Sequence, residues 1–191
     1  MSDLNIALIY GSTREGRFCD TVAQWACGQI RRHPRMNVDI IDPALLGMSV
    51  RLERQCSDAL VDLKDSIRSA DAYVIVTPEY NHGYPAALKH LIDSVYGEWQ
   101  AKPVGFVSYG GLHGGTHAIE QLRQVFAELH AVTMRNTVTF IEAWKQFDHA
   151  GQLIHATLAE QSMRMMTAQL CWWADALRQA RCKQPYAEIA T

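Results

Sequence analysis

The sequence has little that would tie it to a membrane, a disulfide framework or a nucleic acid. Its longest apolar runs are only several residues long, far short of the roughly 20 that a membrane-spanning helix needs. The opening MSDLNIALIYG has no basic leader ahead of a long apolar core, so a cytosolic rather than a secreted protein is expected. Five cysteines (Cys19, Cys27, Cys56, Cys171 and Cys182) form no C-x-x-C pair. An odd and scattered set disfavours both disulfides and a zinc site, and reads as reduced thiols used for packing; no metal site is expected. No block of like charges occurs and the formal net charge is −2, which leaves no concentrated basic face for nucleic acid. Internal repeats, low-complexity tracts and linkers are also missing.

What is present suits one buried domain. The chain has 191 residues, of which 48 % are hydrophobic and 20 % charged. Those values are near the averages for soluble globular proteins, and the length is too short to make two domains the default. A single domain over residues 1–183 and a tail over 184–191 are expected. Residues 5–10, 37–41, 72–77, 104–109 and 137–141 read as strands, being short, rich in β-branched residues and bounded by turn chemistry. Several are apolar throughout, as strands covered on both faces should be. Between and after them run helical stripes. Val22, Ala23, Ala26, Cys27 and Ile30 make the first, and Leu60, Leu63, Ile67 and Ala70 the second. Leu88, Leu91, Ile92 and Val95 make a third, and Ala118, Ile119, Leu122, Val125, Phe126 and Leu129 a fourth. A last helix carries Leu158, Met163, Met166, Leu170, Trp173 and Leu177. Five βα units with right-handed crossovers imply an α/β fold, a three-layer αβα sandwich around a five-stranded parallel sheet. Residues 43–55 read as a loop.

In such a sheet ligands bind beyond the carboxyl ends of the strands. Three loops lie there, GSTREGR, PEYNHGYPAA and GGLHGG, and they are the most unusual stretches of the chain. In the first, Gly11 lets the backbone turn out of the strand, and Ser12, Thr13, Arg14 and Arg17 precede a helix. Hydroxyls, guanidinium groups and a helix N-terminus together favour a phosphate. A polar turn that merely caps a helix would use Gly and Ser but not two arginines. Neither G-x-x-x-x-G-K-[ST] nor G-x-G-x-x-G occurs here, which excludes the usual nucleoside triphosphate and dinucleotide loops. The second loop offers Pro78, the flat ring of Tyr80 and the amide of Asn81, suited to the edge of a planar heterocycle. In the third, Gly110, Gly111, Gly114 and Gly115 flank His113, and bare backbone there would either approach a flat ligand or simply connect.

Taken together, GSTREGR, PEYNHGYPAALKHLID and SYGGLHGG resemble the NADPH-dependent FMN reductase family, which includes quinone, azo-dye and chromate reductases. The likeness covers about the first 140 residues in order and spacing. It implies a flavodoxin-like fold with strand order 2-1-3-4-5 and an FMN-dependent NAD(P)H oxidoreductase. In such an enzyme NADPH or NADH passes a hydride to the flavin, which then reduces a small acceptor. Carried over by residue, the resemblance places the FMN phosphate on Ser12, Arg14, Arg17 and the Phe18 N–H. It places the ring between Pro78, Glu79, Tyr80 and Asn81 on one side and Ser108, Gly110 and Gly111 on the other. Many members read G-S-x-R-x-x-S-x-N, whereas this chain has Arg17 and Cys19 at the last two sites. The chemistry belongs to the flavin, so no catalytic side chain is nominated; His82 and His113 are candidates for contacting substrate or are plain loop residues. The family also implies a homodimer or homotetramer, for which Tyr96, Glu98 and Trp99 suit an interface or the domain core, as do Cys171, Trp172 and Trp173. A flavodoxin-like electron carrier with protein partners is the alternative, but a net charge of −2 supplies no strongly acidic face.

Overall fold

The computed structural model describes residues 3–47 and 57–189. β1 (Leu4–Tyr10), α1 (Cys19–Arg31), β2 (Met36–Ile41), α2 (Asp58–Ser69), β3 (Ala72–Pro78), α3 (Ala86–Asp93), β4 (Pro103–Gly110) and α4 (Thr116–Glu128) follow the expected alternation. The chain then runs through β5 (Val132–Thr133), β6 (Val138–Ile141) and α5 (Thr157–Lys183). All pairings are parallel, and the order along the sheet is β2-β1-β3-β4-β5, with β6 also on β4. The position expected to hold one fifth strand is thus filled by two pieces. β5 pairs with Pro103 and Val104, and β6 pairs from Val107 to Gly110. Between the pieces Arg123 of α4 donates to the carbonyls of Met134 and Arg135, at 2.7 and 3.2 Å, so those carbonyls serve a side chain instead of the ladder.

Alternate side chains of β1, β3 and β4 supply two cores. Leu4, Ile6 and Leu8 pack with Val22, Ala26 and Ile30 of α1 and Met163, Met166 and Leu170 of α5. Ala7 and Ile9 point the other way, toward Leu63 and Ile67 of α2, Leu91 of α3 and Leu122 and Phe126 of α4. Burial on both faces is why β3 and β4, and most of β1, read as apolar runs. Cys19 and Cys27 are buried, Cys171 is half-buried and Cys182 exposed, all four as free thiols. Cys56 and most of the 43–55 loop lie outside the described residues, while the expected tail contains a short 3-10 turn, Tyr186–Glu188. Among the described residues no helix is long and apolar enough to cross a membrane.

Candidate functional site

The loops after β1, β3 and β4 leave the same end of the sheet. The first is set by a close approach. The Gly11 N–H donates to the Val76 carbonyl at 2.7 Å, and a Cβ at Gly11 would sit 2.7 Å from that oxygen and 2.9 Å from Thr77 Cα. Any larger residue would push β1 off β3. Ser12, fully buried, then brings its Oγ to 2.9 Å from the Tyr80 hydroxyl, joining the first loop to the second. The Arg14 N–H donates to the same Ser12 Oγ at 3.3 Å, and the Arg14 guanidinium lies 5.7 Å from the Tyr80 ring centre.

Arg17 is spent elsewhere. Its guanidinium donates to both carboxylate oxygens of Asp42, to the Ser12 carbonyl, and to Asp20 Oδ1 at 2.8 Å. The Arg17 and Asp42 side chains are only 11 % and 8 % exposed, so the pair is shielded from water. Burial pushes the Asp42 carboxyl up, but the Arg17 hydrogen bonds and charge outweigh it and leave that carboxyl below its ordinary value. The bond to Asp42 holds Arg17 firmly protonated. Arg14, by contrast, is exposed and makes no ion pair among the described residues. Phe18 is the N-cap of α1 and adds no side-chain bond to its first turn, while its ring packs on Tyr109 and Phe147. Cys19 is in the core with its thiol 3.7 Å from the Val76 carbonyl, and burial keeps it neutral.

The second loop is a tight hairpin. Tyr80 and Gly83 exchange backbone bonds of 2.8 and 3.0 Å, with Asn81 and His82 both left-handed at φ 50° and 65°. Two consecutive positive φ values define the turn that fits the twist of a short hairpin, and Asn and His tolerate them better than most residues. Pro78 is buried at the end of β3. The Glu79 carboxylate, 11 % exposed, accepts from the His117 N–H at 3.1 Å and lies 3.0 Å from His117 Nδ1.

In the third loop Ser108 is buried and donates from its hydroxyl to the Gly114 carbonyl at 2.8 Å. Gly115 needs its lack of a side chain: its φ is +92°, and a Cβ would fall 2.6 Å from that of Ser108. Gly110 runs close to Gly115 and the Glu79 side chain, and Gly111 lies near exposed Trp144. The Asn81 and Gly111 N–H groups take part in none of the backbone bonds that shape these loops.

Ser12, Thr13, Arg14, Glu79, Tyr80 and Asn81, with Pro85 to Ala87 at the start of α3, line an open cleft of about 640 Å³. Of the expected site residues, Ser12, Arg14, Glu79, Tyr80 and Asn81 line this cleft, and Gly110 adjoins Glu79. Arg17, Phe18, Pro78, Ser108, Gly110 and Gly111 are not among its lining residues. Sequence spacing does not reveal the Arg17–Asp42 pair, whose members lie 25 residues apart. Nor does it reveal a cluster beside the cleft, in which donor atoms of Glu79, His82, His113 and His117 all lie within 4.8 Å of one another. Trp99 resolves to the core, fully buried with its indole N–H on the Ile92 and Val95 carbonyls, whereas Tyr96 and Trp172 are exposed.

Residues 4–145 match the family described as NADPH-dependent FMN reductase. The chain belongs to that family. An NAD(P)H-dependent FMN reductase of Schizosaccharomyces pombe is 36 % identical over 129 residues, covering 63 % of this chain and 64 % of the relative. The chain therefore spans just under two thirds of that FMN reductase. A second NAD(P)H-dependent FMN reductase, from Saccharomyces cerevisiae, is 34 % identical over 155 residues, covering 69 % of this chain and 76 % of its own. A flavoenzyme NAD(P)H:(acceptor) oxidoreductase from Paracoccus denitrificans superposes with a TM-score of 0.70 at 21 % identity, covering 92 % of this chain and 98 % of its own. That likeness shows the family fold, a parallel sheet of order 2-1-3-4-5 with helices on both sides.

Proposed function

We propose that the chain is an FMN-dependent NAD(P)H oxidoreductase that reduces a small acceptor, with FMN held between the three loops. The observation that carries this reading is the meeting of the first two loops at Ser12 and Tyr80, with the Arg14 guanidinium, which makes no ion pair among the described residues, lining the same cleft. The residues present fit the cofactor. The cleft is within the usual size of small-molecule sites, it is lined by Ser12, Thr13 and an Arg14 that makes no ion pair among the described residues, and Gly110 adjoins Glu79 at its edge.

Arg14 and the hydroxyls of Ser12 and Thr13 hold the phosphate, together with the Phe18 N–H at the head of α1. Arg17 is a positioning residue: by binding Asp42 and the Ser12 carbonyl it fixes the turn on which Ser12 and Arg14 stand. Pro78, Glu79, Tyr80 and Asn81 form one wall of the ring site, and Gly110 and Gly111 the other, with Ser108 shaping the glycine loop from beneath. In this reading the Asn81 and Gly111 N–H groups stabilise negative charge at the ring edge. When bound, FMN supplies the redox chemistry, taking two electrons as hydride from NADPH or NADH and handing them on. The side chains bind and orient, and no acid or base is required of them.

The acceptor belongs to the class that relatives reduce, as in the Escherichia coli protein named quinone reductase, 33 % identical over 143 residues. A protein-to-protein carrier fits less well, because a net charge of −2 provides no acidic docking face. A cytoplasmic homo-oligomer, with exposed Tyr96 beyond α3 at the interface, completes the reading. Binding titrations with FMN and riboflavin test the site. FMN is expected to bind at least tenfold more tightly, since a charge-assisted contact to its phosphate is worth about 1.5–3 kcal/mol; equal affinity would count against a phosphate site in the first loop.

A further inference from the structure

We propose that Glu79, His82, His113 and His117 form a binding site for one divalent transition-metal ion of the zinc class. The flavin reading gives His82 and His113 no more than a candidate substrate contact and leaves His117 unassigned, and the expectation of no metal rested on the cysteines. Donor atoms from all four residues lie within 4.8 Å of one another. His117 Nδ1 and Glu79 Oε1 are 3.0 Å apart. Two ligands of a tetrahedral zinc ion, with bonds of about 2.0–2.1 Å, stand about 3.3 Å apart, so this pair is already near the spacing an ion would impose. The rings of His82 and His117 are stacked with centres 4.3 Å apart, and His113 meets His117 at 4.6 Å. His82 and His113 are exposed, so their rings have room to turn toward a shared ion.

The backbone that carries each ligand is fixed by the protein, as metal sites require of their surroundings. The Gln121 side-chain amide donates to the His82 carbonyl at 2.8 Å from the next turn of α4. The Thr116 hydroxyl donates to the His113 carbonyl at 2.8 Å. The His117 N–H donates to the second Glu79 oxygen at 3.1 Å, leaving Oε1 to face the imidazole. Three imidazoles and one carboxylate suit Zn²⁺, Ni²⁺ or Cu²⁺, whereas Mg²⁺ and Ca²⁺ prefer an all-oxygen shell. The ligands come from the β3 loop, the β4 loop and α4, so a bound ion would tie together the two loops beside Asn81 and Gly111.

The test is a zinc titration of the full chain carrying its cofactor, stripped first with a chelator and then read by competition with a chromogenic zinc indicator. One equivalent should bind. His113→Ala and His117→Gln should each weaken it at least tenfold, while His149→Ala and His155→Ala leave it unchanged and Mg²⁺ fails to compete. The double variant His82→Ala/His113→Ala alters two exposed side chains only and keeps the test valid if His117→Gln misfolds. Absence of stoichiometric binding, affinity unchanged in that double variant, or loss seen only with Cys182→Ser would each overturn the site. Metal uptake is the readout, so failure of the flavin reading is scored separately.

Discussion

Arg14 and Arg17 are alike in sequence and opposite in use. Arg17 forms a shielded pair with Asp42, with the Ser12 carbonyl as a further acceptor, while Arg14 is exposed beside Tyr80 and makes no ion pair among the described residues. Removing one member of a buried ion pair leaves the other uncompensated, at a cost of about 3–5 kcal/mol in buried cases. Arg17→Ala is therefore expected to lower stability by about 3 kcal/mol and to weaken FMN binding only through the loop it releases. Arg14→Ala should change stability by less than about 0.5 kcal/mol, as exposed substitutions do. It should nevertheless weaken FMN binding tenfold or more. Chemical denaturation paired with flavin titration checks both; a stable Arg17→Ala chain, or an Arg14→Ala chain that holds FMN normally, would contradict the division of labour. Both arginines were legible as anion ligands, because only the turn is visible in sequence. Asp42 stands across the sheet end, and no local spacing announces it.

At the scale of elements, the hydrophobic period placed all five helices, and short β-branched runs bounded by turns placed β1 to β4. The edge strand was only half legible: β5 is two residues long, and its break depends on Arg123 reaching over from α4. The end of α2 holds another feature hidden from sequence. The Lys102 ammonium, almost fully buried, donates at 2.8 Å to the carbonyls of Ile67 and Arg68 in the last turn of α2. Burial, helped by the Arg181 charge, pulls its pKa down to about 7 from the ordinary 10.5. Above pH 7 the unfolded chain then keeps a proton that the folded chain releases, so folding gains from rising pH until the unfolded lysine also titrates. The stability of the natural chain relative to Lys102→Met should rise between pH 7 and 8.5, by up to about 1.4 kcal/mol per pH unit. Denaturation midpoints at several pH values measure it; a difference that stays flat would mean the ammonium remains charged in the fold.

For the whole molecule, the sheet order matters because it brings the loops after β1, β3 and β4 to one end. Each loop was legible as unusual, and their coincidence was legible once five βα units were recognised. The histidine cluster was not, since His82, His113 and His117 belong to different loops and a helix, and no metal spacing links them. Trp99 was ambiguous for the same reason: its neighbours Tyr73 and Phe126 come from β3 and α4. The central claim is that this end of the sheet holds a flavin and exposes it to a nicotinamide. The most direct measurement is to reconstitute the chain with FMN, remove unbound flavin and oxygen, and add NADPH or NADH while following the visible spectrum. The account predicts loss of the oxidised-flavin absorbance with one equivalent of nucleotide per bound flavin, and its return when a quinone is added. A protein that retains no FMN, or a bound flavin that neither nucleotide bleaches, would contradict it.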